Sequence, residues 1–119
     1  MIRFIVAGSR DFNDYELLKS EMDAILRFYD IKTEVIIISG GCRGADALGE
    51  RYARENGIPL EIFAAEWDKY GRAAGPIRNE KMVEYSNAVI CFWDNKSRGT
   101  FSLIKLANKH KKPIKIIKI

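Results

Sequence analysis

The sequence has few of the residues that nucleophilic and metal-dependent enzymes require. Among its 119 residues there are one histidine, His110, and two cysteines, Cys42 and Cys91. The histidine stands in a lysine-rich segment, and the cysteines lack the spacing of metal ligands. Cys91 belongs to an apolar run and is predicted to be a buried core thiol. A Ser-His-Asp or Cys-His catalytic arrangement is therefore excluded, and no metal or cofactor is predicted.

Long hydrophobic runs and the common phosphate-binding signatures are also absent. No apolar run reaches the roughly 18 residues of a membrane span. The first residues lead directly into a strand rather than into a signal peptide. We therefore expect a cytoplasmic location and no membrane partner. G-x-x-x-x-G-K-[ST] is missing, and no G-x-G-x-x-G follows the first strand, so P-loop and ordinary dinucleotide binding are not favoured.

The composition is that of one globular domain over residues 1–119, with 47% apolar and 30% charged residues. The net charge is +4, and its excess lies near the C-terminus, at Lys105, Lys109, His110, Lys111, Lys112, Lys115 and Lys118. Such a basic surface can bind nucleic acid. Alternatively, these lysines are the solvated face of a helix and protect an edge strand from pairing. The charge pattern favours this second interpretation.

Strand and helix patterns alternate along the chain. Strands are predicted at residues 2–7, 35–39, 60–63, 88–93 and 114–117, and helices at about 15–29, 44–55, 76–85 and up to about 110. Residues 65–75 are predicted to be irregular and, at that length, functional. The alternation predicts an α/β fold, a Rossmann-like three-layer αβα sandwich with a mostly parallel five-stranded sheet of order 3-2-1-4-5.

The second predicted strand leads into a turn rich in glycine. Ser39, Gly40, Gly41 and Gly44 precede a predicted helix, and free amides at such a place can bind phosphate. A plain tight turn is the alternative, but the three glycines with Arg43 nearby favour a phosphate site. Cys42 in this turn could also be a reactive thiol at a helix N-terminus, although no base accompanies it.

Ligands of parallel sheets bind beyond the carboxyl ends of the strands, and the turns expected there carry the other candidates. The predicted ligand-binding residues are Gly8, Ser9, Arg10, Ser39, Gly40, Gly41, Arg43, Gly44, Asp46, Trp67, Arg78, Asn79, Trp93, Gly99 and Thr100. The arginines, with Arg98, would neutralise phosphate. Trp67 or Trp93 would cover a base, although Trp93 could equally end a core strand. Asp46 and Asp11 could hold a ribose hydroxyl or serve only as a cap and a turn residue.

Three segments at these positions resemble the SLOG superfamily, and within it the YspA-like branch. They are residues 6–10, residues 39–46 and the more specific 73–79, with Gly99-Thr100 as a weaker fourth piece. The superfamily includes DNA processing protein A (Smf) and the cytokinin-activating phosphoribohydrolases. The resemblance covers nearly the whole chain. It implies a nucleotide-like ligand at the carboxyl edge of the sheet and, because both relatives dimerise, a homodimer.

One departure from the phosphoribohydrolases bears on activity. Arg78, four residues before Met82, matches their catalytic arginine, but Leu103 stands where they carry a catalytic glutamate. Glycosidic cleavage normally needs a carboxylate at the reacting centre, and nothing in the sequence places Glu66, Asp68 or Glu80 there. The leading hypothesis is therefore a binding or sensing module for a nucleotide-like molecule. The alternatives are a nucleoside monophosphate phosphoribohydrolase and a single-stranded DNA binder.

Overall fold

Five parallel strands form one sheet in the computed structural model, which describes residues 1–119. The strands are β1 (Ile2–Gly8), β2 (Val35–Ser39), β3 (Leu60–Ile62), β4 (Ala88–Trp93) and β5 (Ile114–Lys118). Their order is β3-β2-β1-β4-β5. The fold and strand order predicted from the sequence are thus confirmed.

Five α-helices and one short 3₁₀-helix connect the strands. The helices are α1 (Tyr15–Leu26), α2 (Ala45–Glu55), α3 (Trp67–Tyr70), α4 (Ala74–Tyr85) and α5 (Arg98–Lys109), and the 3₁₀-helix is Gly71–Ala73. The prediction that residues 65–75 are irregular is wrong, because most of them form α3, the 3₁₀-helix and the start of α4. None of the helices has the length and apolar character needed to cross a membrane.

The helix ends follow the local chemistry of the sequence. Asp14 caps α1, since its carboxylate accepts a hydrogen bond from the amide of Leu17 at 3.1 Å. α2 ends at Asn56, and Gly57 follows with a φ of +65°, a left-handed conformation that favours glycine. α1 ends before the predicted Tyr29, whose amide instead bonds to Leu26 in a tighter turn.

The two faces of the sheet bury separate apolar clusters. Phe4 and Val6 of β1 pack towards the cluster that includes residues of α1 and α2. Ile5 and Ala7 belong to the other cluster, with residues of α4 and α5. Since alternate residues of a strand point to opposite faces, β1 is covered on both sides. Cys91 lies fully buried in the second cluster, and burial raises its pKa to about 12.

Candidate functional site

A cavity of about 330 Å³ opens at the carboxyl edge of the sheet. It lies at the ends of β1 and β4, where the strand order reverses and α/β sheets generally bind ligands. The lining residues are Ala7, Gly8, Arg10, Cys42, Asp46, Arg78, Asn79, Met82, Ser97, Arg98, Gly99, Thr100 and Leu103. Four turns and helices that are distant in the chain thus meet around one space.

The first turn of α5 forms one wall of this cavity. Arg98, Gly99 and Thr100 are its first three residues, and no side chain caps their amides. The Thr100 hydroxyl lies 3.1 Å from that of Ser97, which precedes the helix. Amides at a helix N-terminus have no intrahelical acceptor and carry partial positive charge. This wall therefore presents hydrogen-bond donors suited to an anion.

Asp94 fixes the turn that leads into α5. Its Oδ1 accepts hydrogen bonds from the amides of Lys96 and Ser97, each at 2.8 Å. These bonds lower the pKa of the Asp94 carboxyl. The amide of Asp94 itself donates to Oγ of Ser9 at 3.2 Å. The turn after β4 is thereby tied to the turn after β1.

Arginines supply most of the charge in the cavity. Arg10, Arg78 and Arg98 all line it, against one carboxyl group, that of Asp46. Arg78 is held in place: its Nη1 donates to the carbonyl oxygen of Gly40 at 2.5 Å, and its Nε donates to Oδ1 of Asn79 at 2.8 Å. Because a guanidinium stays protonated at any ordinary pH, the cavity favours an anionic occupant.

Asp46 is nearly buried, with 5% of its surface exposed. Its Oδ2 lies 3.3 Å from the amide nitrogen of Cys42, which donates to it. Burial raises the pKa of this carboxyl to about 6, although amides of the turn and the charge of Arg78 act in the opposite direction. Asp46 thus holds the turn after β2 while it also faces the cavity.

The Gly40-Gly41 turn does not present the bare amides that its sequence suggests. The amide of Gly41 donates to Oγ of Ser39 at 3.1 Å, and the amide of Cys42 donates to Oδ2 of Asp46 at 3.3 Å. Neither glycine lines the cavity, nor does Ser39, whose hydroxyl donates to Glu50 at 2.6 Å. The expectation that this turn cradles phosphate is corrected, because Ser39 and Asp46 already accept from the amides of Gly41 and Cys42 and neither glycine lines the cavity.

Gly8, Ser9 and Gly44 bring the first two turns into direct contact. A Cβ at Gly44, whose φ is +80°, would lie 2.3 Å from the carbonyl oxygen of Ser9. That same oxygen accepts a hydrogen bond from the amide of Ala45 at 3.2 Å. A Cβ at Gly8 would lie 2.1 Å from the carbonyl oxygen of Phe92. Gly8 lines the cavity, whereas Ser9 and Gly44 join the turns behind it.

Three further predicted ligand residues, besides those of the two turns just described, lie outside the cavity. Arg43 is exposed and pairs with Asp11 at 3.4 Å. Trp93 stacks on Phe101 with ring centroids 5.9 Å apart, and its Nε1 donates to the carbonyl of Ser97 at 3.1 Å. Trp93 therefore supports the turn before α5. Trp67 is 51% exposed and also does not line the cavity.

The cavity contains residues that sequence reasoning did not include among the ligand-binding candidates. They are Ala7, Cys42, Met82, Ser97 and Leu103, and Arg98, which the sequence had indicated only as an additional positive charge, completes the lining. Helical spacing could have found some of them, since Met82 follows Arg78 by four residues and Leu103 follows Gly99 by four. Leu103 is 2% exposed. The three carboxylates considered as replacements, at Glu66, Asp68 and Glu80, do not line this cavity.

Comparison with models of known protein families identifies the family of this chain. Residues 2–70, more than half of the chain, match the model of the family described as YspA, cpYpsA-related SLOG. The chain belongs to this SLOG family. The predicted resemblance is thus confirmed. The matched region ends at Tyr70, the last residue of α3, so it includes the turns after β1 and β2 but not α4 or α5.

A curated relative of this SLOG protein is the Gene 61 protein of Mycobacterium phage D29. The two are 30% identical over 125 residues, which cover 96% of this chain and 94% of the phage protein. The phage protein and this chain therefore correspond over nearly their whole lengths.

Two solved structures share the fold at low sequence identity. They are DNA processing protein A from Helicobacter pylori, whose structural report concerns its single-stranded DNA binding mode, and DNA processing protein A from Streptococcus pneumoniae. The TM-scores are 0.71 and 0.72, with 19% and 16% identity over 97% of this chain. The SLOG chain spans 64% and 49% of those two structures, so it corresponds to part of each.

Proposed function

We propose that this protein is a binding or sensing module for a nucleotide or a nucleotide-derived molecule. Its phosphate would bind at the first turn of α5, where Arg98, Gly99 and Thr100 line the cavity and no side chain caps their amides. Arg10 and Arg78, which line the same cavity, would neutralise its charge. This arrangement keeps the predicted roles of Arg78 and Thr100 and moves the amide donors from the Gly40-Gly41 turn to α5.

The observation that carries the proposal is the meeting of three arginines with an uncapped helix N-terminus in one cavity. Helix N-termini bind phosphate through their free amides and their positive dipole end. Guanidinium groups add paired, charge-assisted hydrogen bonds to phosphate oxygens. A neutral ligand would leave this concentration of positive charge uncompensated, so the chemistry favours an anion.

Isothermal titration calorimetry with AMP, GMP, CMP, UMP and ribose 5-phosphate tests the proposal. We expect at least one of them to bind, and Arg10→Ala and Arg98→Ala each to weaken it by about tenfold, as loss of a charged hydrogen bond of about 1.4 kcal/mol would. The matched control is Arg72→Ala, because Arg72 is exposed and lies outside the cavity. Absence of binding by every phosphate compound would contradict the proposal.

Single-stranded DNA is a second candidate ligand, favoured by the outer face of α5. Arg98, Phe101, Lys105 and Lys109 line a groove of about 380 Å³ there. Phe101 is 49% exposed, and the Nζ of Lys105 lies 5.6 Å from its ring centroid. Exposed aromatic rings beside lysines can stack bases while the lysines neutralise phosphates. DNA processing protein A of Helicobacter pylori, which shares the fold, binds single-stranded DNA.

Fluorescence anisotropy with a labelled oligothymidine tests this second candidate. Binding through Lys105 and Lys109 would weaken steeply with added salt, and Lys105→Gln with Lys109→Gln would flatten the salt dependence by about two charges. The control is Lys19→Gln on α1, whose side chain is 44% exposed and which is remote in sequence from α5. No binding at low salt would remove DNA from consideration.

A further inference from the structure

A second cavity lies beside the first, and α4 separates the two. It measures about 160 Å³ and, like the first cavity, it includes Arg78 in its lining. On α4, Ala74, Ile77 and Lys81 line the second cavity, whereas Asn79 and Met82 line the first. Positions separated by three or four residues share one face of a helix. The start of α4 therefore forms a ridge between the two cavities, and Arg78 on this ridge lines both of them.

The two cavities differ in chemistry. Most residues that line the second cavity have aromatic or aliphatic side chains. These residues are Phe63, Ala64, Tyr70, Ala74 and Ile77. Its remaining lining residues besides Arg78 are Glu66 and Lys81. The first cavity holds three arginines, Asp46 and the start of α5. One molecule that spanned the ridge would place an anionic group in the first cavity and an apolar, flat group in the second.

We propose that the second cavity binds the nucleobase of a nucleotide whose phosphate lies at α5. This inference rests on the proposed function and specifies which part of the ligand each cavity holds. It makes Tyr70 and Phe63, rather than Trp67 or Trp93, the aromatic residues beside the base. Arg78 lies at the junction, where it contacts both the sugar and the phosphate side of such a ligand.

The charged residues at this cavity favour a nucleobase over a purely aliphatic group. A base has apolar faces but carries hydrogen-bond donors and acceptors around its edge. The Glu66 carboxylate can accept from a ring amino or imino group, and the Lys81 ammonium can donate to a ring nitrogen or carbonyl. An aliphatic chain would satisfy neither residue. Aromatic side chains with a few polar groups are a common composition of ligand pockets.

The experiment compares the four nucleoside monophosphates with ribose 5-phosphate, which shares their sugar and phosphate but has no base. We expect the best nucleotide to bind the wild-type protein about tenfold more tightly than ribose 5-phosphate does, because contact with an aromatic side chain adds affinity only for the base. Calorimetry measures both dissociation constants.

Two variants of the second cavity localise that difference. Ala64→Trp fills the cavity from an exposed position, and Tyr70→Ala removes an aromatic wall. Each is expected to lower nucleotide affinity about tenfold, to the level of ribose 5-phosphate, and to leave ribose 5-phosphate binding unchanged. Ala73→Trp is the matched control, since Ala73 is exposed and lines neither cavity. Melting curves of all three variants check that they are folded.

The outcomes separate this inference from the proposed function. If ribose 5-phosphate binds the wild type as tightly as every nucleotide, the protein recognises only the sugar and the phosphate. The second cavity then has no role as a base site. If both cavity variants keep full nucleotide affinity, the base lies elsewhere. If no phosphate compound binds at all, the proposed function itself is wrong, and the assignment of the base site is refuted with it.

Discussion

The guanidinium of Arg78 donates to the carbonyl oxygen of Gly40 and thereby joins α4 to the turn after β2. A Cβ built on Gly40 would lie 3.0 Å from Nη1 of Arg78 and 2.8 Å from Oδ2 of Asp46. Glycine at position 40 is therefore explained by the close approach of two side chains of the protein itself. A ligand is not needed to account for it.

The first prediction concerns this close approach. Gly40→Ala is expected to destabilise the protein by about 1–3 kcal/mol, because the added methyl group displaces Asp46 or Arg78 in a packed region. Urea unfolding measures the loss. The control is Gly99→Ala in α5, where a Cβ would meet no atom within 4 Å. Since alanine favours a helix by up to about 1 kcal/mol over glycine, the control should be neutral or stabilised. Equal stability of Gly40→Ala and wild type would refute this account.

The second prediction separates stability from binding at Ser39. Its hydroxyl accepts from the amide of Gly41 and donates to Glu50. Ser39→Ala removes both hydrogen bonds, one of them to the Glu50 carboxylate, whose side chain is only 13% exposed, and is expected to cost about 1 kcal/mol. Ligand affinity is expected to stay within about twofold of wild type, since Ser39 does not line the cavity. Ser20→Ala, at an exposed helical position, is the control. A stable variant with lost affinity would place Ser39 in the ligand site instead.

The third prediction uses the turn before α5. Backbone amides hold the pKa of the Asp94 carboxyl below its ordinary 3.8, so the ionised group stabilises the folded state above about pH 4. That contribution disappears as the pH falls through the lowered pKa. Asp94→Asn keeps an acceptor but removes the charge. In urea unfolding between about pH 6 and about pH 3, the variant should lose less stability than wild type, and parallel pH profiles would show that the charge has no effect.

The fourth prediction is a pH dependence of anion binding. The pKa of Asp46 is raised from 3.8 to about 6, so its negative charge disappears from the cavity as the pH falls through 6. Sulfate, whose own charge is constant over this range, is expected to bind about fivefold more tightly at pH 5 than at pH 8, which corresponds to about 1 kcal/mol of charge–charge interaction. Asp46→Asn should bind sulfate equally at both values. If the wild-type protein bound sulfate equally at pH 5 and pH 8, the predicted effect of the Asp46 charge would be wrong.

The same raised pKa also makes the stability of the folded state depend on pH. A buried carboxyl whose pKa rises on folding binds more protons in the folded state between pH 3.8 and about 6. Its contribution to stability is fully present below 3.8 and decreases as the pH rises through 6. Asp46→Asn lacks this slope, so urea unfolding of both proteins over the same range provides an independent check on the charge of Asp46.

The sequence was sufficient to predict the sheet because its strands are short apolar runs bounded by turn residues. Residues 35–39 and 88–93 were predicted with their observed bounds. The error at residues 65–75 has a physical cause. Gly71 and Gly75 suggest an irregular loop, yet Gly71, with a φ of +56°, joins α3 to the 3₁₀-helix, and Gly75 lies within α4 against the Trp67 ring.

The site was harder to predict, since glycine-rich turns serve two purposes that look alike in a sequence. The turn after β2 has the composition of a phosphate-binding loop, but Ser39 and Asp46 occupy its amides. The side-chain partner of each amide depends on tertiary structure. Arg78, Asn79, Gly99 and Thr100 were predicted as site residues and do line the cavity, because parallel strands bring their following segments to one edge.

The close contact of Gly44 with Ser9 and Arg10 affects how a ligand would bind, because it joins the two loops at the cavity. A Cβ built on Gly44 would lie 2.3 Å from the carbonyl oxygen of Ser9 and 2.5 Å from that of Arg10, so the two backbones are in close contact and we expect a displacement of one loop to displace the other. We therefore expect these loops to be ordered in the free protein, so that an arriving molecule does not have to immobilise them. Ligand association is therefore expected to show a single rate that depends on concentration, with no slower rearrangement of the protein. The affinity is expected to depend on the side chains that line the cavity rather than on loop mobility.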